Sequence, residues 1–176
     1  PDPDLLIGHS FGGTLAQLAV LRGIVRPKSL LLEDPVSHLA DKQTPSRMLA
    51  WDEKNMPRAI DDLQRLNPRW SRLDASWKLL SLEQINFDDA RKAFVENAPW
   101  DLRPTVNELI AHVPTVWILP EESRFVTSED KTRLRHIAGD RAVVVLPEVG
   151  HSIHRDDTRA FVEIAEQLSN GTWFKQ

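Results

Sequence analysis

The hydrophobic positions of this chain form two kinds of segment that alternate near both of its ends. Four short runs are apolar at nearly every position, as expected of strands covered on both faces of a sheet; they are residues 5–7, 29–32, 113–119 and 141–146. Elsewhere apolar residues recur every three or four positions, which is typical of helices with one buried face; these segments are residues 11–22, 128–137 and 158–168. The alternation predicts an α/β fold with a mostly parallel sheet flanked by helices.

Residues 37–108 differ from the rest because they are charged, rich in Leu and Trp, and without strand signals. Helical stretches at 58–66 and 87–95 predict an inserted helical segment, and its tryptophans are expected to divide between helix packing and pocket walls. The sheet domain would then consist of residues 1–36 and 109–176. Because ligands of open α/β sheets bind at the carboxyl edge of the strands, we expect the insertion to form a cap over that edge.

Composition excludes several classes of partner and site. The 176 residues are 41% hydrophobic and carry a net charge of -4, so no basic surface is expected for nucleic acid. The absence of cysteine excludes disulfides, thiolate zinc sites and a thiol nucleophile, and it fits a cytoplasmic protein. No apolar run is long enough for a membrane span, and the first residues lack the features of a signal peptide.

A candidate nucleophile lies where the first strand meets the first helix. Gly8-His9-Ser10-Phe11-Gly12 has the pattern G-x-S-x-G, in which a sharp turn holds the serine in a strained conformation with its hydroxyl exposed. The flanking glycines remove the Cβ atoms that would clash as strand and helix pack. Because the helix start directs N–H groups towards a developing negative charge, the Phe11 N–H is predicted to be an oxyanion donor.

A serine hydroxyl needs a base to accept its proton, and Gly150-His151 follows the last predicted strand. His151 is therefore the candidate base. His9 is expected to pack beside the turn without reacting. The remaining histidines have no spacing typical of metal ligands, so neither a metal nor another cofactor is expected; they are His38, His112, His136 and His154. No substrate-binding residues are predicted.

Together, residues 8–13 and Val149-Gly150-His151 resemble the nucleophile elbow and the histidine loop of capped α/β-hydrolase-fold serine hydrolases. The resemblance covers nearly the whole chain and implies the carboxyl-terminal portion of that fold, lacking its first strands. It implies that Ser10 cleaves an ester, lactone, thioester or amide bond through an acyl-enzyme, with a second oxyanion donor from a loop outside this chain. The Trp and Leu content of the insertion suggests a mainly apolar small-molecule substrate. An upstream segment or a second chain is expected to complete the sheet.

The acid of the triad is where the sequence departs from the resemblance. Family members usually carry an Asp three residues after a Gly at the end of the strand at 113–119, and the matching positions here are Pro120 and Ser123. Two replacements remain open: Asp34, at the end of the preceding strand and slightly favoured, and Glu122. Glu33 is expected to point to the opposite side from Asp34, because side chains alternate along a strand.

Two other kinds of function stay open at this point. The missing acid at position 123 would suit a non-catalytic ligand-binding or receptor module on the same scaffold. Related folds also perform carbon-carbon bond hydrolysis or peroxidation with the same triad.

Overall fold

The computed structural model describes residues 2–175, which divide into two compact units. One unit contains the residues up to Ser37 together with those from Leu102 onwards, and the other is His38–Asp101. The strands are β1 (Leu5–His9), β2 (Ser29–Glu33), β3 (His38–Leu39), β4 (Trp100–Asp101), β5 (Thr115–Pro120) and β6 (Val143–Leu146). The α-helices are α1 (Phe11–Leu21), α2 (Gln43–Asn55), α3 (Ile60–Leu66), α4 (Arg72–Gln84), α5 (Phe87–Arg91), α6 (Val106–His112), α7 (Ser128–Ala138), α8 (Ile153–Asp156) and α9 (Thr158–Ser169).

The first unit is built on a four-stranded parallel sheet with the order β1-β2-β5-β6. Strand β2 is buried along its whole length, and its side chains alternate between two cores. Leu30 and Leu32 belong to the core that contains residues of α1, α6 and α7, whereas Leu31 packs in the core on the other face with residues of α8 and α9. The predicted parallel sheet with flanking helices is confirmed.

The second unit is mainly helical, with α5 continued by a π-helical turn at Lys92–Glu96. Its core is the hairpin of α3 and α4, where Leu63, Trp70 and Ala75 are buried. Strands β3 and β4 form a two-residue antiparallel pair near the ends of this unit. Such short strands carry too few residues to produce an alternating pattern, so no sequence pattern indicated them.

The boundaries of the helical unit differ from the predicted insertion of residues 37–108. Helix α6 begins inside that range but belongs to the sheet unit, because Val106 and Leu109 lie on one helix face and are buried in its core. The cap role of the insertion stays a prediction. Strand β6 also begins later than the pattern at 141–146 suggested, since a 3₁₀ turn at Asp140–Ala142 precedes it. No helix within residues 2–175 combines the length and the apolar character that crossing a bilayer requires.

The packing of β1 against α1 depends on the absence of a side chain at Gly8. A Cβ atom added at Gly8 would lie 2.7 Å from the Gly13 Cα and 2.9 Å from the Ala16 Cβ. These contacts are closer than van der Waals separation, and two of the three nearest atoms are backbone atoms that cannot rotate away. Gly8 therefore sets how closely the helix approaches the strand.

We expect Gly8→Ala to lower the free energy of unfolding by about 1–3 kcal/mol, because the added methyl group must displace backbone. Urea denaturation followed by circular dichroism measures this change.

Gly12→Ala is the matched control, because a Cβ atom at Gly12 meets nothing within 4 Å. Alanine is also the better helix former, so this variant should be unchanged or more stable by about 0.4–1 kcal/mol. Equal losses of stability in the two variants would contradict the packing argument.

Candidate active site

Ser10 lies at the bend between β1 and α1 and has a φ angle of 56° and a ψ angle of -125°. A positive φ is strained for a residue with a side chain and persists only where surrounding contacts hold it. Here the Ser10 N–H donates to the Glu33 carbonyl (3.0 Å), and the Ser10 carbonyl accepts from the N–H groups of Gly13 (3.0 Å) and Val36 (3.2 Å). The bend is therefore bonded on both sides, as a nucleophile elbow requires.

Phe11 is the first residue of α1, so its N–H lies at the end of the helix where the dipole is positive. This position is the one at which a negative charge that develops beside Ser10 would be stabilised.

Asp34 lies next to His151, although 117 positions separate the two residues in the sequence. Its Oδ2 lies 2.6 Å from the His151 Nδ1, and its side chain is 1% exposed against 35% for the histidine. Asp34 has a φ of 37° directly after β2, and its N–H donates to the Ile118 carbonyl of the neighbouring strand (3.0 Å). Of the two acids left open by the sequence, the structure brings Asp34 to the base, whereas Glu122 is exposed and makes no hydrogen bond with His151.

The Oδ1 of Asp34 accepts a hydrogen bond from Ser123, which stands at the position where the family resemblance led us to expect an aspartate. The Ser123 hydroxyl oxygen accepts from the N–H groups of Phe125 (3.0 Å) and Val126 (2.9 Å). Its single hydrogen is then available for Asp34 Oδ1, to which it donates. With both carboxylate oxygens accepting, the His151 Nδ1 carries a proton and Nε2 is left with the lone pair that a general base needs.

The loop that contains Ser123 is held by a buried lysine of α7. The Lys131 Nζ donates to the carbonyls of Pro120 (2.8 Å) and Glu121 (2.6 Å). Burial lowers the pKa of Lys131, while attraction to the Asp34 and Glu121 carboxylates acts in the opposite direction. A cation thus lies within electrostatic reach of Asp34.

A second carboxylate and histidine pair lies beside the first. Glu33 is 1% exposed, and its Oε1 accepts from the backbone N–H of His154 (2.9 Å) and from the His154 Nδ1 (2.8 Å). Its Oε2 is 2.9 Å from the same Nδ1. Side-chain alternation predicted that Glu33 points away from Asp34, whereas its pairing with His154 was not predicted. The feature of the sequence that could have indicated this pairing is the presence of two consecutive acids at 33 and 34 and of two histidines three residues apart at 151 and 154.

His9 links the bend at Ser10 to the loop that carries His151. Its Nε2 is 2.9 Å from the His151 carbonyl oxygen, and its ring centroid is 4.6 Å from that of His151 and 5.2 Å from that of His154. Burial lowers the pKa of His9, the Glu33 carboxylate raises it, and both neighbouring histidines lower it further. His9 therefore packs beside the bend, as predicted, and also touches the loop that carries the candidate base.

His9, Glu33 and His154 are also the group of residues within 2–175 whose ligand atoms could surround a metal, since these atoms lie within 4.8 Å of one another. The hydrogen bonds argue against that use. The His154 Nδ1 faces two acceptor oxygens and so carries a proton, which leaves no lone pair on this nitrogen for a metal shared with Glu33. The cluster is satisfied as a set of hydrogen bonds.

Comparisons with known proteins agree with this architecture. The model of a family described as the alpha/beta hydrolase family matches residues 1–164. Among curated proteins, none matches the chain.

Similar solved structures include MenH from S. aureus, at 17% identity and a TM-score of 0.66 over 96% of this chain and 68% of that one. E-2-(acetamidomethylene)succinate hydrolase has 14% identity and a TM-score of 0.66 over 94% of this chain and 66% of that one. A thermophilic esterase from Thermogutta terrifontis has 15% identity and a TM-score of 0.65 over 97% of this chain and 66% of that one. At these identities the likeness shows the fold alone. The chain spans about two thirds of the length of these structures.

The lowered pKa of His9 predicts a pH dependence of stability. As the pH falls below the ordinary value of 6.5, the unfolded chain takes up a proton at His9 before the folded chain does. The His9 contribution to the free energy of unfolding should therefore be complete above pH 6.5 and decrease between that value and the lowered pKa.

His9→Gln cannot titrate and should reduce this loss of stability in urea denaturation curves recorded at a series of pH values from neutral to acidic. His136→Gln on the exposed face of α7 is the control and should keep the wild-type dependence. Identical pH profiles for wild type and His9→Gln would contradict the prediction.

Proposed function

Since the chain belongs to the alpha/beta hydrolase family, we propose that it is a serine hydrolase that cleaves an ester, lactone, thioester or amide bond. The observation that carries this proposal is the hydrogen bond of 2.6 Å between the buried Asp34 carboxylate and the His151 Nδ1. It fixes the tautomer in which Nε2 can accept a proton, and Ser10 is the candidate hydroxyl that would supply it.

In the proposed reaction the Ser10 Oγ attacks the substrate carbonyl while the His151 Nε2 takes its proton. The Phe11 N–H stabilises the oxyanion, and a second donor comes from a segment outside this chain. The imidazolium then gives its proton to the leaving group, which leaves an acyl-enzyme on Ser10. Water activated by the same imidazole hydrolyses this ester and restores the serine. Asp34 orients the imidazole and stabilises its charged form throughout.

The substrate is proposed to be a mainly apolar small molecule. The helical unit buries Trp70 in its own core but leaves Trp51 and Trp77 exposed by 65% and 60%. Exposed aromatic side chains on an otherwise charged segment support the recognition of an apolar ligand.

A non-catalytic receptor was suggested by the serine at position 123. This reason for a receptor is weakened, because Asp34 supplies a carboxylate to His151 and Ser123 itself donates a hydrogen bond to that carboxylate. We therefore favour the enzyme.

We also propose that a further strand, from an upstream segment or a second chain, pairs with β1. Within residues 2–175, β1 lies at the edge of the sheet and pairs only with β2. Ile7 in this strand is 44% exposed and Leu15 in α1 is 51% exposed, so apolar surface remains open on this side.

Covalent labelling tests the nucleophile. A fluorophosphonate probe should modify Ser10, and Ser10→Ala should abolish labelling because it removes the proposed nucleophile. Intact-protein and peptide mass spectrometry identify the modified residue. Ser81→Ala, at an exposed serine of α4, should label like the wild type. Labelling that persists in Ser10→Ala would refute the proposed function.

Two matched substitutions test the acid. Asp34→Asn should lower the labelling rate by about 10⁴-fold, the scale seen when a triad aspartate is neutralised. Glu122→Gln removes an exposed charge and should change the rate by no more than about twofold. Stopped-flow labelling at pH 7 measures both rates. The opposite order of effects would assign the acid to Glu122.

A further inference from the structure

Two side chains outside the proposed triad, those of His9 and Glu33, hydrogen-bond the backbone of the segment that carries His151 and His154. A third, that of His154, bonds the Glu33 carboxylate. His9 directly precedes Ser10, and its Nε2 is 2.9 Å from the His151 carbonyl oxygen. A carbonyl oxygen accepts only, so Nε2 must carry the hydrogen. One hydrogen bond therefore joins the residue beside the nucleophile to the base residue itself.

Glu33 holds the same loop from its other end. Its Oε1 accepts from the backbone N–H of His154, and both oxygens accept from the His154 Nδ1. His154 lies in α8, the short helix that begins two residues after His151. His9 and Glu33 lie opposite each other at the ends of the paired strands β1 and β2. The two side chains that hold the loop therefore come from neighbouring strand ends.

We propose that His9, Glu33 and His154 act as positioning residues that hold the histidine loop at a fixed distance from Ser10. The inference rests on the proposed serine hydrolase function and deepens it, because none of the three side chains is required to touch the substrate. A general base displaced by about 1 Å can lose about 10²-fold in rate, so a loop of this kind must be fixed by its surroundings.

The charges around His9 favour this role. The titratable groups that face it are Glu33, His151 and His154, and burial is the main cause that lowers its pKa. His9 is therefore neutral near pH 7. A cation at His9 would oppose the imidazolium that forms on His151 during the reaction, whereas a neutral ring donates the hydrogen bond without that penalty.

Two pairs of variants test the proposal. His9→Phe keeps an aromatic ring but has no donor, whereas His9→Gln keeps an N–H donor near the position of Nε2. His154→Leu removes the donor to Glu33, whereas His154→Asn keeps one near the position of Nδ1. His136→Gln serves as the control at an exposed site. Urea denaturation checks that each variant is folded.

The rate of fluorophosphonate labelling at Ser10 should fall by about 10²-fold in His9→Phe and stay within about threefold of the wild type in His9→Gln. The His154 pair should follow the same order. Equal labelling rates for His9→Phe and wild type would overturn the proposal. The proposed function would stand in that case if Ser10→Ala still abolished labelling.

Nitrogen-15 NMR of the imidazole rings gives a readout that does not need catalysis. At pH 7 the wild type should show His9 as the neutral Nε2–H tautomer. A His9 in the Nδ1–H tautomer would contradict the hydrogen bond to the His151 carbonyl. Stoichiometric binding of Zn²⁺ to the wild type, lost in His154→Asn, would replace the positioning role with a metal site.

Discussion

Strand β2 ends in two consecutive carboxylates that are both buried, and the geometry of the candidate site depends on how they are satisfied. Side chains alternate along a strand, so Glu33 and Asp34 point to different sides and need different partners. The partners are His154 and His151, which lie three residues apart in the segment that follows β6. A buried carboxylate that loses its hydrogen-bond donors is strongly destabilised, so the segment cannot leave its place without leaving a buried charge unpaired.

The same strand end also supports the strained bend at Ser10. The Glu33 carbonyl accepts from the Ser10 N–H, and the Ser10 carbonyl accepts from Val36, three residues further along. A positive φ costs about 1–3 kcal/mol and survives because contacts of this kind outweigh it. The bend at Ser10 and the segment that carries His151 and His154 are therefore both hydrogen-bonded to Glu33 or Asp34 at the end of β2. These bonds hold residues from distant parts of the sequence in fixed positions relative to one another.

Local patterns were sufficient to predict the elements that these hydrogen bonds join. The buried runs and the G-x-S-x-G turn are visible because each depends on neighbours within a few residues. The pairing of Glu33 with His154 joins residues 121 positions apart, and the choice between Asp34 and Glu122 depends on the exact course of the chain after β5. Neither leaves a periodic signal. Helix α6 was missed for a related reason, since only the position of the sheet shows which unit buries Val106 and Leu109.

The position of Asp34 beside His151 follows from the pairing of β2 with β5. The two strands are hydrogen-bonded with Glu33 opposite Ile118, so their carboxyl ends lie side by side. Asp34 can therefore approach His151 from the next strand, because its positive φ turns the chain while its N–H stays bonded to Ile118. A carboxylate at residue 123 would then face Asp34 as a like charge, whereas a serine there donates a hydrogen bond to it. Lys131 holds the same loop, so a hydroxyl donor and a nearby cation lie where a second acid would otherwise face Asp34.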